Sequence, residues 1–412
     1  MADYDQQEFQ IQDHFQWNSP FRGGVGAADL SPAVQAAQEI LDRALDRGAS
    51  DIHLEPEKKQ MQIRCRVDGV LQPLCQVPKN LQEPLISRFK ILSGMDIGEK
   101  RLPQDGRFQG QWRGHQVDVR VSSLPTLFGE NLVLRLLDQE AVRLELEQLG
   151  FTAENLEKLR RCLRRPHGLF LVTGPTGSGK STTLYGILAS LDREKQNIIT
   201  VEDPVEYQLE GIRQVAVQPK IGLTFARCLR SILRQDPDCI MVGEIRDGET
   251  AAMSIHAALT GHRVFSTLHT NTAVGAVTRI LDMGVEPYLA AAALEGAAGQ
   301  QLVRRLCPCC KKAYTVTEQD WEWEYLQLKE PRTLYRAQGC PSCGHTGYAG
   351  RIPLQEVLVL TETLRRAILQ GIGDGTLEKL ARQEGFRPLW EDGREKVLSG
   401  QTSGKELLRV LG

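Results

Sequence analysis

Gly174-Pro175-Thr176-Gly177-Ser178-Gly179-Lys180-Ser181 follows the short apolar run Leu169-Phe170-Leu171-Val172 and precedes Thr182-Thr183-Leu184-Tyr185. That order is strand, glycine-rich loop, helix, the setting a phosphate loop needs. Glycines let successive backbone N–H groups turn toward phosphate oxygens, and the helix that follows adds its positive N-terminus. Lys180 is placed to reach the β- and γ-phosphates, and the Ser181 hydroxyl to hold Mg²⁺. Residues 174–181 together with Thr182 are therefore the nucleotide-binding candidates, with ATP and Mg²⁺ as the ligands. A glycine-rich turn matching the pattern by chance would lack the flanking strand and helix.

Working outward, more buried-strand runs follow at Ile198–Val201, Cys239–Val242 and Val264–Leu268, separated by helical stretches. Continuous apolar runs of this length suit parallel strands covered on both faces, so the fold class is α/β. In open α/β sheets ligands bind at the carboxyl ends of the strands. Three such ends carry chemistry. Cys239-Ile-Met-Val-Gly243-Glu244 places Glu244 where a carboxylate can orient or deprotonate the attacking water. Gly243 stands where many phosphate-loop enzymes carry a Mg²⁺-binding aspartate. Glu202-Asp203-Pro204-Val205-Glu206 reads as a solvated loop or as part of the site. His269 reads as a structural histidine or as a donor to the γ-phosphate.

Before this core, Ser31-Pro32 caps a helix that Gly48 stops. Met61, Ile63, Cys65 and Val67 alternate with Gln62, Arg64, Arg66 and Asp68, as do Val117, Val119 and Val121 with their polar neighbours, which predicts half-buried strands. The expected organisation is a tail over 1–30, a small α+β domain over 31–137 and a linker over 138–150. The ATPase domain follows over 151–304, then a cysteine-rich subdomain over 305–352 and a helical segment over 353–412. The linker lacks glycine before Gly150, which predicts a jointed connection.

Over 412 residues the formal net charge is −2, which gives no reason to expect nucleic acid as a direct partner. The basic run Lys158, Arg160, Arg161, Arg164, Arg165 reads as a solvated helix face, or as a surface for anionic lipid or a neighbouring subunit. No apolar run approaches the roughly 18 residues of a membrane span, and the acidic N-terminus lacks a signal-peptide pattern. A cytoplasmic location, with membrane association only through partners, is expected.

Five of the ten cysteines are scattered and read as reduced, buried apolar residues. The others fall between 307 and 343. Cys307/Cys310 and Cys340/Cys343 form two Cys-x-x-Cys pairs with 29 residues between them, the pattern of a closed structural Zn²⁺ site. Cys309 is a surplus thiol. Buried cysteines or a redox pair are the alternatives.

Taken together, these segments resemble the secretion ATPases of type II secretion and type IV pilus assembly systems, the GspE/PilB family, over about residues 33–410. The resemblance rests on the phosphate loop and on three further motifs of the core: Ile199-Thr-Val-Glu-Asp-Pro-Val-Glu-Tyr207, Asp236-Pro-Asp-Cys-Ile-Met-Val-Gly-Glu-Ile-Arg-Asp247 and Thr260-Gly-His-Arg-Val-Phe-Ser-Thr-Leu-His-Thr270. Upstream it rests on Ala49-Ser-Asp-Ile-His-Leu-Glu-Pro56 and Arg101-Leu-Pro-Gln-Asp-Gly-Arg107. The tetracysteine segment, ending in Thr346-Gly-Tyr-Ala-Gly-Arg351, is similar to the assembly branch. The resemblance implies a RecA-like core preceded by a PAS-like α+β domain and followed by a zinc subdomain and helical C-terminus. It also implies a homohexameric motor working with inner-membrane secretion or pilus platform proteins. Glu244, Glu202 and His269 would be catalytic. Arg107 and Arg120, with Arg64, Arg66 and Arg135 behind them, would complete the ATP site from the N-terminal domain. Family members commonly carry a further N-terminal docking domain, and about 30 residues stand in its place here. Pilus retraction, or a RecA-like motor moving nucleic acid, is the alternative.

Overall fold

Met61, Ile63 and Cys65 are buried and Gln62, Arg64 and Arg66 are not, so alternation in the sequence becomes a strand with one face on a core. A computed structural model describes residues 16–17, 31–138 and 145–412, in two compact units, Met1–Ala141 and Val142–Gly412.

The first unit comprises β1 (Gln16–Trp17), α1 (Pro32–Asp46), β2 (Ala49–Pro56), β3 (Gln60–Val67), β4 (Val70–Pro78), α2 (Lys79–Leu92), β5 (Gln104–Trp112), β6 (His115–Thr126) and β7 (Gly129–Asp138). The sheet order is β1-β5-β6-β7-β2-β3-β4, with antiparallel neighbours throughout. Leu41, Leu85 and Phe89 of the two helices bury one sheet face with Ile52, Ile63, Val119 and Leu134. The other face is polar. Arg107, Arg120, Arg135, Asp51 and Arg66 stand opposite one another on successive strands, and cross-strand partners share a face. Asp51 lies 3.1 Å from Arg135 and 3.7 Å from Arg66, and Glu55 holds Arg64 through two 2.6 Å bonds. Within the stretch read as a tail, Gln16 and Trp17 pair with Gln111 and Gly110 as an edge strand. The remainder of 1–30 lies outside the described residues.

The second unit contains α3 (Ala153–Leu163), β8 (Gly168–Thr173), α4 (Lys180–Ala189), β9 (Ile198–Glu202), β10 (Arg213–Ala216), α5 (Phe225–Ile232), β11 (Cys239–Val242), α6 (Gly248–Leu259), β12 (Arg263–Leu268), α7 (Ala273–Asp282), α8 (Pro287–Ala293) and β13 (Leu294–Leu306). It continues with β14 (Lys312–Val316), α9 (Trp321–Tyr325), β15 (Arg332–Arg336), β16 (Tyr348–Val359), α10 (Glu362–Leu369), α11 (Asp374–Gln383), α12 (Leu389–Leu398) and α13 (Gly404–Leu411). The main sheet runs β10-β9-β11-β12-β8-β13-β16, parallel except for β16.

Each central strand is buried on both faces. Leu169, Leu171, Ile240 and Val242 enter a core that reaches α5 to α8, while Phe170, Val172, Met241 and Phe265 enter the core lined by α3 and α4. In the expected linker, residues 139–144 lie outside the described residues, and Leu146 and Leu149 are buried in that second core. β13 and β16 run through positions 304/305 and 352/353, the edges expected for the cysteine-rich segment. Their long antiparallel pairing holds both ends of that segment against the main sheet. No helix among the described residues is long and apolar enough to cross a membrane.

In the first unit, Lys90 of α2 and Glu130 of β7 form a 2.8 Å ion pair that is almost fully buried, and Lys90 also donates to the Glu99 carbonyl at 2.6 Å. Removing one partner strands a buried charge, whereas replacing both with apolar side chains does not. Glu130→Ala should therefore lower the unfolding free energy by about 3–5 kcal/mol, and Lys90→Met/Glu130→Leu should lose much less. Denaturant melts of the three chains check this.

Candidate active site and metal centre

Sequence chemistry dictates the loop at the end of β8. Gly174, Gly177 and Gly179 have φ of 150°, 78° and 87°, values open to glycine and strained for other residues. At Gly174 a Cβ would also meet the Gln300 carbonyl at 2.2 Å. Gly179 caps α4, whose first turn carries Lys180, Ser181 and Thr182. The unpaired N–H groups of that turn and the helix dipole make a ready anion site.

Lys180 is 8% exposed, and its ammonium donates to the carbonyls of Gly174 at 2.8 Å and Pro175 at 3.0 Å. Burial lowers its pKa from the ordinary lysine value, and the negative charge of Glu244 works against that shift. Glu244 stands two residues past the end of β11. One of its oxygens lies 2.6 Å from the Arg246 guanidinium and the other 3.2 Å from His269 Nε2. Gly243 makes room for this turn: its N–H donates to Val201 O at 2.7 Å, and its carbonyl accepts from the Thr267 hydroxyl at 2.8 Å. His269 is kept near the phosphate loop by Thr173, whose hydroxyl donates to Thr270 O at 2.8 Å and accepts from Thr270 N–H at 3.0 Å. The ends of β8, β11 and β12 thus bring Lys180, Glu244 and His269 together.

Glu202 is differently placed. Its carboxylate is 4% exposed and accepts from Tyr185, from Thr200 at 2.5 Å and from Gln214 at 3.1 Å. Burial and the adjacent carboxylate push the Tyr185 phenol well above its usual range. Glu202 is therefore fully engaged inside the fold and orders Tyr185, whereas Glu244 is close enough to Lys180 for its charge to act on the ammonium. Arg107 and Arg120 lie on the polar sheet face of the first unit, Arg107 exposed and Arg120 3.9 Å from Asp118.

Sequence reasoning missed three contributors. Arg246 lies inside a quoted motif, but nothing in its spacing says that it grips Glu244. Thr173 and Gln300 have no motif at all, because each acts through partners far off in the chain, Thr173 on Thr270 and Gln300 on the Ser178 carbonyl at 2.7 Å.

The four thiols Cys307, Cys310, Cys340 and Cys343 lie within 4.8 Å of one another, with Sγ–Sγ separations of 3.8–4.0 Å in three pairs. Tetrahedral Zn²⁺ at about 2.3 Å from each sulfur implies separations of about 3.8 Å, so the donor set fits. Desolvation pushes the Cys343 thiol up, but the N–H groups of Cys340 and Gly347 and the neighbouring thiols outweigh it and bring it down to about 6. Cys309 is exposed and outside the cluster.

The family described as "Type II/IV secretion system protein" matches residues 26–409. "Type II secretion system ATPase E" of Vibrio cholerae is 50% identical over 382 residues, covering 93% of this chain and 76% of that protein. "Type II secretion system protein E" of Aeromonas hydrophila is 49% identical over 386 residues, covering 94% and 77%. Among solved structures, the Legionella pneumophila ATPase DotB shares the fold at 22% identity, with a TM-score of 0.66 over 92% of this chain and 95% of its own. The pilus retraction motor PilT with bound ADP is 26% identical, with a TM-score of 0.61 over 92% and 97%.

Elemental analysis of the reduced protein should find about one Zn²⁺ per chain, since the four-thiolate set is complete. Cys340→Ser should lower metal content and loosen the segment between β13 and β16, because metal binding and local folding are coupled. Cys309→Ser should change neither. A folded preparation without metal would contradict the assignment.

Proposed function

The chain belongs to the type II/IV secretion system protein family and is an ATP-hydrolysing secretion ATPase, and on that premise we propose that it works as a cytoplasmic homohexamer. It powers assembly of a type II secretion pseudopilus or a type IV pilus, held at the inner membrane by platform proteins. The observation that carries this reading is the convergence of Lys180, Glu244 and His269 on a phosphate loop in a chain about half identical to a named type II secretion ATPase.

In this reading, residues 174–182 hold the nucleotide phosphates, and Lys180 exchanges its own loop carbonyls for β- and γ-phosphate oxygens. The Ser181 hydroxyl would hold Mg²⁺, which supplies charge neutralisation between the phosphates. Glu244, oriented by Arg246, positions the attacking water, and His269 beside it donates to the γ-phosphate. Glu202 acts from within the fold through Tyr185. Arg107 and Arg120 stabilise charge on the transferring phosphoryl group, so ATP binding draws the two units together and hydrolysis releases them. In a ring, each closure displaces one subunit against the next. Zn²⁺ on Cys307, Cys310, Cys340 and Cys343 would be structural, four thiolates leaving no open position for chemistry.

Lys180→Ala should abolish turnover in a folded chain, and undiminished turnover would sink the reading. Glu244→Gln should keep ATP affinity while kcat falls by about 10²-fold or more, measured by equilibrium binding beside steady-state hydrolysis. Loss of binding as severe as loss of turnover would place Glu244 in the metal site instead. Arg107→Ala or Arg120→Ala should lower kcat at least about tenfold with ATP affinity little changed. Mixing either variant with Lys180→Ala chains should restore some activity if a neighbouring subunit supplies the arginine. Unmodified rates in both single variants would refute the choice of arginines and leave the phosphate loop untouched.

A further inference from the structure

A row of buried polar side chains runs from the phosphate loop to α12. Gln300 of β13 is 3% exposed, and its amide N–H donates to the Ser178 carbonyl at 2.7 Å. Its amide oxygen accepts from the Thr183 hydroxyl in the first turn of α4 at 2.7 Å and from the Gln355 amide at 3.2 Å. Gln300 and Gln355 are register partners on β13 and β16. The Gln355 backbone N–H donates in turn to Asp392 of α12 at 2.8 Å, and Asp392 pairs with Lys396 at 2.7 Å. Lys396 returns to β16 through a 2.6 Å bond to the Pro353 carbonyl. Every one of these side chains is buried.

Buried polar groups are costly unless paired, and a row of them in a core that apolar residues could fill calls for a reason. Peptide planarity supplies it. The Ser178 carbonyl and the Gly179 N–H belong to one rigid trans unit and point in opposite directions. A donor that fixes the carbonyl also fixes the direction of the N–H, and in a phosphate loop that N–H faces the ligand. Gln300 holds this peptide and Thr183 together, so it sets the angle between the loop and the helix that follows. Close packing adds to the constraint: a Cβ on Gly179 would lie 2.7 Å from the Gln300 amide nitrogen. The row also has spare capacity. Ser178 Oγ, Gln355 Oε1 and Asp392 Oδ1 are buried without a hydrogen-bond partner among the described residues, so its members can re-pair when the loop moves.

We propose that Gln300 is a positioning residue for nucleotide binding, and that α12 governs nucleotide affinity through Gln355 and Gln300. This rests on the ATPase reading, with ATP as the ligand. The C-terminal helices are then coupled to the nucleotide, and whatever shifts α12 alters how tightly the loop holds its phosphates.

The test compares the unmodified chain with Gln300→Met, which keeps length and removes the amide. Asp392→Leu/Lys396→Met, which removes both charges of the pair so that neither is stranded, probes the far end. Gln300→Met should raise the KM for ATP about tenfold with kcat changed less than about threefold, as expected for lost ligand affinity from one buried hydrogen-bonding group. A merely structural role would reduce the folded fraction, lowering apparent kcat and leaving KM alone. The α12 double variant should also raise KM, and combined with Gln300→Met it should add little, because both act along one path. An unchanged KM in Gln300→Met, beside a normal unmodified chain, overturns the positioning role. An unchanged KM in the α12 variant, or a fully additive combination, overturns the link to α12. An unmodified chain that binds no ATP would bring down the ATPase reading and this inference with it.

Discussion

A phosphate loop gathers backbone N–H groups at one point, and that arrangement holds only if the carbonyl ends of the same peptides are satisfied elsewhere. Here three of the loop's carbonyls have side-chain donors. Lys180 takes those of Gly174 and Pro175, Ser178 N–H also reaches Pro175, and Gln300 takes that of Ser178. The glycines permit the turn, and these donors keep it. Much of the second unit follows from that need. β13 must lie beside β8 to bring Gln300 to the loop, and β13 is held there by its pairing with both β8 and β16.

The same economy governs the acidic side chains. Two glutamates end neighbouring strands, and burial decides their work. Glu202 is enclosed and spends its oxygens on three hydroxyl and amide donors, whereas Glu244 is held by Arg246 and His269 at the mouth of the loop. A carboxylate gripped by a guanidinium is fixed in direction, which suits a group that orients water. Lys180 pairs with its own loop carbonyls and Glu244 with Arg246, so both charges are compensated within the protein.

The strands β8, β9, β11 and β12 were legible because burial on both faces leaves continuous apolar runs. The phosphate loop and the cysteine pairs were legible because backbone geometry and tetrahedral thiolate ligation each demand fixed residue types at fixed spacing. β13 was hidden. Gly296-Ala-Ala-Gly299-Gln-Gln301 has no β-branched residue, and the packing shows why. A Cβ on Gly296 would meet the Leu358 carbonyl at 2.6 Å, and one on Gly299 would meet the Glu356 carboxylate at 2.6 Å. Close approach to β16 selects small residues, and that erases the usual strand signal. The boundaries of the cysteine-rich segment were blurred for the same reason, since β13 and β16 belong to the main sheet and to that segment at once. Gln300, Thr173 and Arg246 were unreadable as site residues because their partners are set by folding and not by spacing.

The central claim is that the loop at the end of β8 binds ATP by transferring Lys180 from its own carbonyls to phosphate oxygens. A crystal structure of the chain with Mg²⁺ and a non-hydrolysable ATP analogue tests it most directly. The account expects the β- and γ-phosphates against residues 174–182, the Lys180 ammonium moved from Gly174 and Pro175 onto them, and Glu244 facing the γ-phosphate. Analogue bound elsewhere, with Lys180 still bonded to its own loop, would contradict it.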